Sequence, residues 1–127
     1  AIKSGIIDTI GSDHAPHTLE EKARPYGSCP SGVPGIETTL PLLIEAYHQG
    51  LLSLKNIVDL TSRRAKEIFQ LPDYADDYVL VDLSLARRVE EKQLKTKCQW
   101  SPFTGRLLRG WPVIIVLKNH VYDLARL

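Results

Sequence analysis

The chain has 127 residues, of which 43% are hydrophobic and 24% are charged. Both fractions are typical of a globular domain and argue against intrinsic disorder. Sixteen basic and fifteen acidic residues give a net charge of +1 at pH 7, which does not favour nucleic-acid binding because a domain that follows phosphates is clearly basic. The apolar runs are far shorter than the roughly 20 residues that cross a bilayer, so we expect no membrane association.

The two cysteines, Cys29 and Cys98, form no CxxC pair. Because disulfide frameworks belong to oxidising compartments, this usage favours a reducing, cytoplasmic location.

The first predicted element is a short strand. Residues 5–11 are a β-branched run between two glycines, which predicts a buried strand. A buried parallel strand needs neighbours on both sides, and almost nothing precedes this one. We therefore expect the upstream part of the fold to lie outside this chain.

A long loop follows over residues 12–35. It contains four prolines and three glycines, which forbid a continuous helix or a central strand. A loop of this length inside a compact domain is commonly functional.

Three helices are predicted next. Apolar residues recur at helical spacing over 36–48, with Thr38 or Thr39 as N-cap, Pro41 in the first turn and Gly50 as the stop signal.

The second helix is predicted from Ser53 to Leu60. Thr61 and Ser62 then predict the cap of a third helix, which ends near Phe69.

The last part of the chain reads as β-structure. Residues 78–82 and 111–117 are predicted strands, residues 118–119 a turn and residues 120–123 a third strand, whereas the charged segment 87–97 predicts a surface excursion. This order of elements indicates the tail of an α/β unit over residues 1–72, followed by a small β module over residues 73–127. A complete (β/α)₈ barrel needs about 250 residues, so the chain is not a whole barrel.

The densest polar cluster, Asp13-His14-Ala15-Pro16-His17, directly follows the predicted strand. Catalytic side chains project from the carboxyl ends of strands in parallel sheets and barrels. An aspartate there can bind a divalent cation or transfer a proton, and the histidines are candidate ligands or substrate donors. The alternative is an ordinary loop start, with Asp13 capping backbone amides and solvated histidines.

Three motifs carry a resemblance to a known family. They are D-H-A-P-H-T over residues 13–18, G-x-P-G-x-E-T over residues 32–38 and W-S-P-F-T-G over residues 100–105. Together they resemble the dihydroorotase family of the amidohydrolase superfamily, of the type fused to or partnered with aspartate carbamoyltransferase. Hydantoinases and allantoinases share an S-D-H-x-P element but usually lack the second motif.

The resemblance implies an α/β fold, namely the C-terminal part of a (β/α)₈ TIM-barrel amidohydrolase plus part of a small β-sandwich module. It implies a cytoplasmic zinc-dependent hydrolase that reversibly cyclises N-carbamoyl-L-aspartate to L-dihydroorotate in pyrimidine biosynthesis. One or two Zn²⁺ ions are implied, with the other ligands upstream of this chain. The implied partners are the N-terminal part of the same protein, a second copy of it, or aspartate carbamoyltransferase.

The implied roles fall on four residues. Asp13 matches the catalytic aspartate that also contacts metal, and His17 matches a histidine that binds the substrate carboxylate. Ser31 and Gly32 fall where backbone groups of the long loop contact substrate.

Other conspicuous residues are interpreted as structural. His14 receives no ligand role, Glu37 is interpreted as a helix cap, and Trp100 as part of the core of the β module.

Two alternatives stay open for the function. One is a related cyclic amidohydrolase, a hydantoinase or an allantoinase. The other is a catalytically inactive dihydroorotase-like subunit that supports aspartate carbamoyltransferase.

Overall fold

Helices occupy the middle of the chain and an antiparallel sheet occupies its last third. The computed structural model describes residues 1–124. Within them none of the helices is long and apolar enough to cross a membrane. The elements are the helices α1 (Leu19–Lys22), α2 (Ile36–His48), α3 (Leu54–Val58) and α4 (Arg64–Phe69), a π-helical turn (Asp59–Arg63), a 3₁₀ turn (Glu91–Gln93), and the strands β1 (Tyr78–Arg88), β2 (Leu107–Leu117) and β3 (His120–Asp123).

Helix α2 has the predicted bounds, but it begins differently from the prediction. Its N-cap is Gly35, and the hydroxyls of Thr38 and Thr39 both donate back to the Gly35 carbonyl. These threonines lie inside the first turn, where a short hydroxyl reaches a preceding carbonyl rather than a free amide, so the predicted threonine cap is wrong. Pro41 lies within the helix rather than in its first turn. Gly50, with φ of +70°, ends the helix as predicted.

The segment after Ser53 is one continuous helical run with a π-helical turn in its middle. Ser53 caps α3 as predicted, through a reciprocal capping box with Asn56. The predicted break at residues 61–62 is wrong, because the Thr61 hydroxyl donates to the Ile57 carbonyl at 2.8 Å inside the helix. The amide of Arg64 bonds to the carbonyl of Asp59, a spacing that defines the π turn.

The π turn links this helix to the segment before the long loop. Because the Arg64 amide skips the Leu60 carbonyl, that oxygen is free to accept the amide of Ile10 at 3.1 Å. The Arg64 guanidinium also bonds the Asp8 carboxylate at 2.7 Å. These two contacts fix residues 8–10 against the helix.

The three strands form one antiparallel sheet in the order β1-β2-β3. Both long strands exceed their predicted lengths: β1 takes in the start of the predicted surface excursion, and β2 begins at Leu107. Lys118 and Asn119 both have positive φ, 49° and 65°. Two consecutive residues in that region make the tight turn that matches strand twist, so the predicted hairpin is confirmed.

Helix α2 packs on β2. Ile44 of α2 and Leu108 of β2 are both buried. The Arg109 guanidinium donates to both oxygens of Glu45 at 2.9 and 3.2 Å. These hydrogen bonds hold the pKa of the Glu45 carboxyl below its usual range and raise the pKa of Arg109. The α-helices lie within residues 1–72 and the strands within 73–124, but the division into two domains stays a prediction.

Residues 5–11 are not the predicted buried strand. They belong to no strand of the described chain, and Ile6 and Ile7 are 75% and 41% exposed. A strand is completed by hydrogen bonds to a neighbour, and no other strand among residues 1–124 reaches this segment. Several other large apolar side chains are equally exposed, Phe69 at 66% among them.

Candidate active site

The first two motifs of the sequence lie side by side. His14 forms a parallel bridge with Val33, and the amide of Ala15 donates to the Val33 carbonyl at 3.1 Å. Gly32 has φ of +97°, and a Cβ built on it would lie 2.5 Å from the Cβ of Ala15. Because only glycine adopts this conformation freely and leaves that space, Gly32 permits the close approach of the two segments.

Asp13 stands at the start of this arrangement in an unusual conformation. Its φ is +44° and the residue is exposed. A non-glycine residue in the left-handed region is uncommon, although aspartate is among the residues that tolerate it, and such positions cluster at functional sites. Among residues 1–124 no hydrogen bond or ion pair reaches its carboxylate, so it does not cap backbone amides.

His17 lies four residues further along, beside a short helix. Its Nδ1 is 3.7 Å from Oε2 of Glu21. The amide and hydroxyl of Thr18 both donate to that same oxygen, and these hydrogen bonds lower the pKa of the Glu21 carboxyl. Glu21 therefore places a carboxylate beside the His17 ring.

His14, which lies between Asp13 and His17 in the sequence, forms a hydrogen bond with the backbone. Nδ1 of His14 accepts the amide of Ile36 at 3.4 Å, at the start of α2. This contact agrees with the structural interpretation of His14.

Lys22 bonds to the backbone at the far end of the long loop. Its Nζ donates to the carbonyls of Pro30 and Gly32 at 2.8 and 3.2 Å. Ser31, between those two residues, is exposed. The acidic neighbours of Lys22 in the sequence favour a solvated side chain or a surface ion pair, and no sequence signal points to two carbonyls eight and ten residues away.

Glu37 does not cap its own helix. Its two carboxylate oxygens accept the amides of Lys95 and Thr96 at 3.0 and 2.8 Å. The interpretation of Glu37 as a helix cap is therefore corrected, because its acceptors are taken by backbone amides 58 and 59 residues away. These bonds tie the start of α2 to residues 94–101, a segment called the 94–101 loop below.

A pocket of about 460 Å³ opens beside this cluster. His17 and Glu21 line one wall, and Lys95, Lys97 and Cys98 of the 94–101 loop line the other. Lysine ammonium groups beside a histidine suit an anionic ligand such as a carboxylate. A larger groove of about 600 Å³ lies between α2 and the sheet, lined mainly by apolar residues, and neither Asp13 nor His17 lines it.

Residues 1–124 contain no group of three or more His, Cys, Asp or Glu side chains that could hold a metal ion. Zinc sites use three or four protein ligands. The exposed carboxylate of Asp13 has the chemistry of one such ligand, but the described residues alone do not make a zinc site.

No family model matches the chain. Among curated proteins, it is 41% identical over 129 residues to a dihydroorotase of Halobacterium salinarum and 40% identical over 117 residues to multifunctional protein pyr1-3 of Dictyostelium discoideum. These alignments cover 96% and 91% of the chain, but only 31% and 5% of the two relatives. The chain thus spans about a third of the archaeal protein's length.

Solved structures show the same relationship at the level of the fold. An L-hydantoinase of Arthrobacter aurescens superposes with a TM-score of 0.86 and 27% identity, over 96% of this chain and 30% of that one. The inactive dihydroorotase-like domain of a multifunctional protein of Chaetomium thermophilum gives a TM-score of 0.71 and 28% identity, over 92% and 32%. The predicted fold class is therefore confirmed: the chain is part of a TIM-barrel amidohydrolase.

Within that class the sequence relatives are more specific than the structural ones. The resemblance to dihydroorotases is confirmed: the chain is similar to a segment of these relatives.

Proposed function

We propose that the protein containing this chain is a dihydroorotase, which reversibly cyclises N-carbamoyl-L-aspartate to L-dihydroorotate. The observation that carries the proposal is the placement of Asp13 and His17 on one short loop. Asp13 has an exposed carboxylate on left-handed backbone, and His17 lies on a pocket with two lysines. The 41% identity to an archaeal dihydroorotase supports it.

Asp13 is the proton carrier in this proposal. In the hydrolytic direction, its carboxylate accepts the proton of the attacking water and returns it to the amide nitrogen that leaves the ring. One carboxylate serves as base and then acid when it stays beside the reacting atoms through both steps. Its exposure and its lack of partners among residues 1–124 fit this role.

His17 binds the substrate carboxylate. Both dihydroorotate and carbamoyl aspartate are anions, and a protonated imidazole gives a charge-assisted hydrogen bond. The Glu21 carboxylate lies 3.7 Å from Nδ1 of this ring. Lys95 and Lys97 on the opposite wall add positive charge to the same pocket.

Ser31 and Gly32 contribute backbone groups to substrate binding. The Gly32 carbonyl is occupied by Lys22. For Gly32 we therefore assign the amide to this contact, and Ser31 contributes its backbone groups.

Zinc is the proposed cofactor, with Asp13 as the one ligand supplied by the described residues. When bound, it would lower the pKa of a coordinated water to about 7. The remaining ligands are proposed to lie in the rest of the protein, because residues 1–124 hold no ligand cluster.

The larger protein is proposed to be cytoplasmic, and to associate with a second copy or with aspartate carbamoyltransferase. The relationship to multifunctional protein pyr1-3 supports a place within a larger protein.

The proposal is tested by assaying the purified full-length protein in both directions. We expect turnover of dihydroorotate and carbamoyl aspartate, with bound zinc. Preferred turnover of a hydantoin or of allantoin would instead support the related cyclic amidohydrolases, whose fold is equally close.

A catalytically inactive subunit is the second candidate, favoured by the similarity to the inactive domain of Chaetomium thermophilum. It predicts no turnover of any of these substrates, together with stable association with aspartate carbamoyltransferase.

A further inference from the structure

The 94–101 loop reaches the loop that carries the proposed substrate histidine. Nε1 of the Trp100 indole donates to the backbone carbonyl of His17 at 2.6 Å, across 83 residues of sequence. An indole N–H is a donor only, and half-buried tryptophans usually place it on a specific acceptor. The contact fixes the backbone of His17 itself, not that of a neighbour.

The donor is held in place from the other side. Glu37 bonds the amides of Lys95 and Thr96, which anchors the 94–101 loop to the first turn of α2. The ring of His14 bonds the amide of Ile36 in that same turn. His14 and Trp100 thus act on the loop of His17 from one shared anchor at the start of α2.

The contact between the His17 ring and Glu21 is long, so it restrains the ring only weakly. Its Nδ1 lies 3.7 Å from Glu21 and its side chain is 31% exposed. A separation of 3.7 Å is too long for a hydrogen bond, so Glu21 attracts the ring without fixing it. The direction in which the imidazole leaves the backbone therefore depends on how firmly that backbone is held.

From these contacts we propose that Trp100 is a positioning residue for substrate binding, acting through the main chain of His17. Trp100 does not line the pocket of His17. The inference rests on the proposed function, since it assigns His17 to the substrate carboxylate. Trp100 belongs to the β module, so this role gives that module a part in the site. The interpretation of Trp100 as a core residue gives the module no such part.

The chain provides a matched control. Trp111 is also half-buried, and its Nε1 donates to the Leu108 carbonyl at 2.9 Å, within β2 and away from the pocket of His17. Trp100→Phe and Trp111→Phe each remove one indole N–H and the same volume. Only Trp100→Phe removes a contact with His17.

The experiment is steady-state kinetics of the full-length protein carrying each substitution. The loss of a neutral hydrogen bond corresponds to about a 2- to 12-fold effect. We expect KM for dihydroorotate to rise by that factor in Trp100→Phe with a smaller change in kcat, and to stay within about twofold of wild type in Trp111→Phe. Equal KM changes in the two variants, or none in Trp100→Phe, would overturn the inference.

A double variant tests whether Trp100 acts through His17. If Trp100 acts through His17, then Trp100→Phe should raise KM no further in a protein that already carries His17→Ala, because the two changes are coupled. Additive increases would show that Trp100 acts elsewhere.

A readout without substrate separates this inference from the proposed function. In the NMR spectrum of ring-labelled histidines, with His17 assigned by His17→Gln, Trp100→Phe should displace the His17 resonance and Trp111→Phe should not. A protein that fails to turn over dihydroorotate refutes the proposed function, whereas an unmoved His17 resonance refutes the positioning role.

Discussion

Gly110 of β2 lies directly against Ile44 of α2. A Cβ built on Gly110 would lie 2.0 Å from Cγ2 and 2.4 Å from Cβ of Ile44. Opposite Gly110, the register of β1 is irregular between Asp82 and Ala86. The Asp82 carboxylate accepts the hydroxyl and the amide of Ser84 and the amide of Leu85 there, and these hydrogen bonds lower the pKa of Asp82. Helix α2, which anchors the candidate site, thus packs against the sheet at Gly110, where there is no side chain.

This relationship predicts that Gly110→Ala is strongly destabilising. The suitable control is Gly105→Ala, because Gly105 has nearly the same φ, +85° against +87°, and nothing within 4 Å of its built Cβ. Both variants carry the cost of an alanine at positive φ, but only Gly110→Ala adds overpacking, which typically costs about 1–3 kcal/mol. We expect the free energy of unfolding of the full-length protein to fall by that much more in Gly110→Ala. Equal losses of unfolding free energy in the two variants would contradict the close contact between Gly110 and Ile44.

Local patterns predicted much of the fold. The apolar period and Gly50 define α2 to the residue, Ser53 caps α3, and Lys118 and Asn119 make the hairpin turn. In each case the signal lies within a few residues of the feature it determines.

The errors have a common physical cause. At the π turn the Leu60 carbonyl accepts the amide of the distant Ile10. A strand over residues 5–11 needs a partner strand that the described chain does not hold.

Local sequence signals likewise predict only part of the candidate site. Asp13 and His17 are prominent in the sequence because they belong to a dense polar cluster that follows an apolar run. The bonds from Trp100 to His17 and from Glu37 to the 94–101 loop join positions 83 and 58 residues apart. No periodicity or short motif encodes such contacts.

The isolated chain of residues 1–127 should neither bind zinc tightly nor turn over dihydroorotate. Among residues 1–124 no ligand cluster exists, and a zinc site needs three or four ligands. Its exposed apolar side chains, with Ile6 at 75% and Phe69 at 66%, also predict a poorly cooperative fold. Metal analysis after dialysis and a thermal melt check both points. Stoichiometric zinc, or a sharp transition in the monomer, would contradict this expectation.

The tip of the long loop should become ordered when substrate binds. Residues 23–28 are all exposed, and Tyr26 at the tip is fully so. Segments with few buried contacts open readily, whereas Lys22 holds the base of the loop. Hydrogen exchange of the full-length protein should therefore show increased protection of the loop over residues 18–34 on adding dihydroorotate, with the largest change at the tip. Identical exchange with and without substrate would count against this closure.

His17→Ala should act mainly on substrate affinity. A hydrogen bond to a charged group is worth about 1.5–3 kcal/mol, which corresponds to about 10- to 150-fold in binding. We expect KM for dihydroorotate to rise by that factor, with a smaller loss of kcat. Steady-state kinetics in both directions measure the two constants separately. A large fall in kcat with unchanged KM would remove His17 from substrate binding.

Asp13 is the proposed proton carrier, and the decisive test is the kinetics of Asp13→Asn in the full-length protein. Asparagine keeps the shape of the side chain but cannot accept the proton of the attacking water. General acid–base catalysis contributes about 10²–10⁴-fold, and the proposed contact with metal adds to the loss. We expect kcat to fall by at least about 10³-fold in both directions, with KM much less affected and zinc content measured in the same samples. If the variant retains zinc and a kcat near wild type, Asp13 is not the proton carrier.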